Sequence, residues 1–251
     1  QLDSPPGLHR WVGSSDSAAT LLPLTPAELA ADAAQGPLLV FIHGTASSTQ
    51  GSFADLRSAA EAARLDWAGL QARYGTRILA LEHRTFSESP IENALALARM
   101  LPPGAQIDLV THSRGGIVGD LMTLDWSDAD RNREWIDSYE RFLNRDLALD
   151  ADDLKAADQR DRADLHALAT EWRSRRWQVG RYVRVAAPVG GTRLAAGNID
   201  LFLSCLLSLI GLIPALQVSP LFHALKRITL EVARSRTDPN RVPGLEAMLP
   251  G

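Results

Sequence analysis

The chain has 251 residues, 45% of them apolar and 22% charged. That length and balance suit one sizeable α/β domain, or two small ones, with a real core; they exclude disorder, collagen and coiled coil as the main organisation. A formal charge of −4 gives no electrostatic basis for a nucleic-acid partner.

Cys205 is the single cysteine, which excludes an internal disulfide and a cysteine-based zinc site. It suits a reducing compartment, so a cytoplasmic location is favoured over secretion. The chain opens on Gln1, carries no visible signal peptide, and stops at Gly251 after Ala-Met-Leu-Pro. It reads as an excerpt, truncated at the C-terminal side, with other domains of a longer chain as possible partners.

Residues 1–36 are rich in Pro, Ser, Ala and Gly and read as a leading segment, with one short helix expected from Leu21 to Ala34 around Thr25-Pro26. The continuous apolar run Leu38-Leu39-Val40-Phe41-Ile42 predicts a strand buried on both faces, ending in His43-Gly44-Thr45. Helical spacing follows from Phe53 to Ala72, then a strand from Arg77 to Leu81 and a helix from Ile91 to Leu101. A third strand, Ile107 to Thr111, runs straight into His112-Ser113-Arg114-Gly115-Gly116, and helical character resumes from Ile117 to Leu124. Strands alternating with helices predict an α/β fold around a doubly wound, mainly parallel sheet.

Composition shifts at Asp125: from there to Gln178 nearly half the residues are charged, yet Trp126, Trp135, Trp172 and Trp177 fall in the same stretch. Val179 to Ala187 then restores a strand-like run. Residues 125–178 therefore read as a helical insertion in a domain spanning 37–251, either a cap over one end of the sheet or a long solvated crossover helix. Leu201 to Leu225 has no formal charge unless His223 is protonated, but Gly211, Pro214 and Pro220 interrupt it, so no transmembrane segment is expected. A buried core helix is the plain reading of this run; a mobile lid or substrate-tunnel wall is the functional one.

The chemistry-bearing signal is Thr111-His112-Ser113-Arg114-Gly115 between a strand and a helix. A serine there sits on a tight turn with its hydroxyl above the carboxyl edge of the sheet, and crowding demands small residues two before and two after it. Gly115 meets that demand; Thr111 is larger than the usual glycine. Acyl transfer also needs two amides aimed at the developing oxyanion. The main-chain amide of Arg114, at a helix N-terminus, and that of Thr45, in the earlier turn, are the candidates.

With these residues, Leu38 to Met122 resembles an α/β-hydrolase of the lipase and esterase kind, in the strand-His-Gly-x turn and in the His-Ser-x-Gly-Gly elbow 70 residues later. Ala187-Pro188-Val189-Gly190-Gly191-Thr192 is similar to the Pro-x-x-Gly-Thr/Ser stretch of bacterial lipase-like proteins. The closest likeness is to hydrolase domains embedded in larger bacterial proteins. The resemblance implies a Ser113 nucleophile followed in chain order by an acid and a histidine. Asp200 and His223 are the in-chain pair in that order; the preferred expectation places both beyond Gly251.

The remaining histidines have plainer readings: His43 orients its turn, His112 points the wrong way to be the base of Ser113, and His83 closes a strand near the site rim. No metal spacing and no Gly-rich phosphate loop occurs, so neither metal nor cofactor is expected. The function these features imply is a serine ester hydrolase acting on a small-molecule or lipid-like acyl substrate. The alternative is an inactive hydrolase-like binding or scaffolding domain.

Overall fold

The computed structural model describes residues 5–13, 20–57, 67–85, 87–138 and 151–187. In chain order these form β1 (Gly7–Val12), β2 (Thr20–Pro23), α1 (Pro26–Ala34), β3 (Leu38–Ile42) and α2 (Thr49–Phe53). Next come α3 (Trp67–Tyr74), β4 (Ile78–Glu82), α4 (Pro90–Met100), β5 (Gln106–His112) and α5 (Gly115–Thr123). The last are α6 (Ala129–Asp137), α7 (Ala151–Arg175) and β6 (Gln178–Val185).

The leading segment departs from expectation. It contributes two strands, β1 antiparallel to β4 and β2 antiparallel to β1, so the sheet is mixed, with order β2-β1-β4-β3-β5-β6. Leu8 and Trp11 supply the buried side chains that hold β1 in place. The helix expected from Leu21 starts only at Pro26, because Thr25 caps it: its hydroxyl accepts from Glu28 N at 3.2 Å while its own amide donates to the Glu28 carboxylate at 2.8 Å.

The four strands β4-β3-β5-β6 are parallel, as the alternation of strands with helices predicts. Alternation along them builds two cores. Leu38, Val40, Ile42, Leu79 and Leu81 face one side, with α4, α5 and the buried Leu165, Leu168 and Ala169 of α7. Leu39, Phe41, Ile78 and Ala80 face the other, with Trp11, Phe53, Trp67 and Tyr74. Each fully buried aliphatic side chain contributes about 2 kcal/mol, and both cores clamp the same central strand, β3.

Of the two readings of the charged insertion, the described helices follow the crossover. Helix α7 packs on α4, and Gly104 N donates to Arg175 O, so it runs along the face of the sheet and delivers the chain to the start of β6. This described part does not form the cap over one end of the sheet; the buried stripe Asp161, Leu165, Leu168 and Ala169 explains why a charged helix lies flat on the core. Among the described residues no helix is long and apolar enough to cross a membrane, and Leu201–Leu225 lies outside them.

Candidate functional site

Strand register assembles the site. Ile42 pairs with Leu81 on one side and Thr111 on the other, and Thr111 pairs with Arg184. One step further along, Glu82, His43, His112 and Val185 emerge side by side at the carboxyl edge, which is where ligands bind in open parallel sheets.

Ser113 follows directly, in the turn between β5 and α5, with φ +53°. That left-handed backbone disfavours a non-glycine residue and persists only where surroundings over-determine it. Two bonds hold it: Ser113 N donates to Val185 O at 2.8 Å, and Gly116 N donates to Ser113 O at 2.9 Å. Three of the four non-glycine residues with positive φ among those described, Ala46, Ser113 and Ala186, lie in the segments that follow β3, β5 and β6.

Glycines give the turn its room. A Cβ on Gly44 would lie 2.8 Å from Ser113 Cβ and 3.2 Å from His112 O. A Cβ on Gly115 would collide with the main-chain oxygens of Ile42 and His43, and one on Gly116 with Ala187 Cβ. Thr111, the residue larger than the expected glycine, is fully buried and aims its hydroxyl at Val183 O, 3.4 Å away.

Arg114 and Thr45 take different positions. The Arg114 side chain is completely buried, donating to Asn93 Oδ1 at 2.8 Å and to the carbonyl of Glu88 at 2.5 Å. Burial pulls its pKa down to about 10, offset by Glu88 and Glu92, so it stays charged at neutral pH. The charged group thus pins the turn to the start of α4 and leaves its main chain at the head of α5. Thr45 is half-buried in the turn after β3. Next to it, Ala46 N donates to Thr85 Oγ1 at 3.0 Å.

The histidines resolve by their partners. His83 N donates to His43 Nε2 at 3.4 Å, so the proton of His43 is on Nδ1 and goes to Gly44 O at 2.9 Å. His83 Nδ1 likewise donates to Leu81 O at 3.3 Å. The two rings stack with centroids 4.0 Å apart, and burial lowers the pKa of both, so they are neutral. The 3.7 Å approach of His43 Nε2 to Glu82 is therefore not an ion pair at neutral pH; Glu82 instead accepts from Thr49 N at 2.9 Å. His43 thus bonds within its own turn, and His83 directly follows β4 and stacks on His43.

Several residues here carried no sequence signal strong enough to single them out. Glu82, Thr85, Ser47 and Ser52 organise the loop after β3, and Asn93 bridges Arg114 to the Glu88 carboxylate, donating at 2.7 Å. A polar residue closing a buried strand, as Glu82 does, was the available clue.

The tryptophans do not join this site. Trp172 and Trp177 line a cleft of about 340 Å³ with Leu124, Val179 and Tyr182. Trp177 precedes β6, whereas Ser113 bonds to its last residue, so roughly 25 Å of strand separates them. Trp172 and Trp177 therefore stand away from the Ser113 turn, while Tyr182 of the same cleft donates to Gly116 O at 2.6 Å. Asp200 and His223 lie outside the described residues.

Residues 10–134, a span containing both the His43-Gly44-Thr45 turn and the Ser113 turn, match the family model described as Domain of unknown function (DUF7379). No curated protein and no solved structure matches the chain.

Proposed function

We propose that the chain is an α/β-hydrolase-like serine ester hydrolase acting on acyl esters. Ser113 attacks the carbonyl carbon, and the amides of Thr45 and Arg114 hold the oxyanion that forms. The observation that carries this reading is the left-handed Ser113 at a strand-to-helix turn, with only a glycine separating it from the turn after β3. Strain concentrated at a nucleophile-type residue is what an exposed hydroxyl on a sharp turn requires.

A histidine–carboxylate pair activates the hydroxyl in this chemistry; Asp200 with His223, or residues beyond Gly251, are the candidates. A lipid-like acyl group as substrate rests on the apolar run 201–225, since Trp172 and Trp177 stand away from Ser113. The test is turnover of chromogenic acyl esters of increasing chain length. Ser113→Ala should lower it at least roughly a thousandfold. Equal turnover by the variant would refute the reading and leave a binding domain.

A further inference from the structure

Three hydrogen bonds in a row fix the direction of each proton between His112 and Ser48. A carbonyl only accepts, so the Ser47 hydroxyl donates to Ser48 O at 3.2 Å. Ser47 has one proton, so the 3.0 Å bond to Ser52 is donated by Ser52. The Ser52 proton is then spent, and the 3.3 Å bond to His112 must be donated by Nδ1–H. The neutral His112 ring therefore carries its proton on Nδ1.

This relay joins two things that the site needs to keep together. His112 immediately precedes Ser113 on the strand side, Ser47 lies in the loop that begins at Thr45, and Ser52 in the short helix α2 into which that loop runs. On the β4 side the same loop is tied by Ala46 N to Thr85 and by Thr49 N to Glu82. On the β5 side the relay makes the tie. Its ring and Ser113 flank one glycine: a Cβ on Gly44 would be 3.3 Å from His112 Nδ1 and 2.8 Å from Ser113 Cβ.

We propose that His112 and Ser52 are positioning residues, which lock the 45–52 segment to the nucleophile turn and so hold the Thr45 amide over Ser113. This inference rests on the roles proposed above for Ser113 and Thr45. Half-burial lowers the pKa of His112, which keeps the ring neutral and the relay in one direction at physiological pH. Loosening the loop displaces one oxyanion donor, which affects the transition state more than the bound ester.

Two readouts test it separately. Nitrogen-15 NMR of labelled histidine in the folded protein should show His112 neutral and protonated on Nδ1, with that preference lost in Ser52→Ala and kept in Ser52→Thr. An Nε2-protonated ring in the wild type would overturn the relay. In fluorophosphonate labelling of Ser113, Ser52→Ala and His112→Ala should each slow the saturating rate about tenfold, with apparent affinity kept within about twofold. His112→Asn, whose amide N–H stands near the place of Nδ1, should restore the rate to within about threefold. If His112→Asn is as slow as His112→Ala, or Ser52→Ala labels at the wild-type rate, the positioning role is refuted. If Ser113 of the folded full-length wild-type protein takes no label, the hydrolase reading fails, and the tautomer alone decides the relay.

Discussion

Gly44 and Ser113 are packed so closely across two strand ends that a methyl on residue 44 would stand 2.8 Å from Ser113 Cβ. The other neighbours of that methyl are His112 O at 3.2 Å and His112 Nδ1 at 3.3 Å, so main chain as well as side chain would have to give way. Gly44→Ala should therefore displace the Ser113 turn. The expected outcome is loss of Ser113-dependent labelling by about tenfold or more, with a stability loss of about 1–3 kcal/mol in urea denaturation.

Gly115→Ala is predicted to be the more damaging change for folding. Its Cβ meets two main-chain oxygens, those of Ile42 and His43, and neither can rotate away. A loss of about 3 kcal/mol or failure to fold is expected, read by thermal denaturation.

Asn93 stands between a buried cation and a carboxylate, accepting from Arg114 Nη1 at 2.8 Å and donating to Glu88 at 2.7 Å. Asn93→Ala strips a partner from a fully buried guanidinium whose Nε already has none among the described residues. We expect a cost of about 1.5–3 kcal/mol, because the charge stays behind without compensation. Denaturant midpoints at constant slope check this.

Stability should fall with acidification through the stacked pair His43 and His83. Burial holds both folded-state pKa values below the free-histidine value near 6.5, so below that pH the unfolded chain binds more protons. Their contribution is complete above about pH 6.5 and is lost as pH drops toward the folded values. The urea midpoint should decline from pH 7 to pH 5. His83→Asn, which keeps a donor for Leu81 O, should make the decline shallower.

Trp177 is fully buried and its indole N–H donates to Met122 O at 3.0 Å, far from Ser113. Trp177→Ala should cost about 3–5 kcal/mol. In the fraction that remains folded, the rate of Ser113 labelling should be unchanged. A selective loss of labelling in folded protein would put the tryptophan cleft back into the site.

The parallel core was legible because β3 and β4 are buried on both faces and advertise it as apolar runs. The turn at Ser113 was legible for a similar reason: small residues and a strand-to-helix change occur together. Strand β1 escaped notice because its buried residues, Leu8, His9 and Trp11, follow no strict alternation and are held by partners distant in sequence. The relay was illegible too, since Ser47 and Ser52 reach His112 only after three strands have fixed their register. The insertion was ambiguous because its few apolar residues mark a buried stripe without saying which surface covers it.

The central claim concerns a single hydroxyl. The most direct measurement is intact-mass and peptide mapping of the folded protein after treatment with a fluorophosphonate, wild type against Ser113→Ala. The account predicts one adduct, on Ser113, absent from the variant. An adduct that survives Ser113→Ala, or none on the folded full-length wild-type protein that carries its histidine–carboxylate pair, would contradict it.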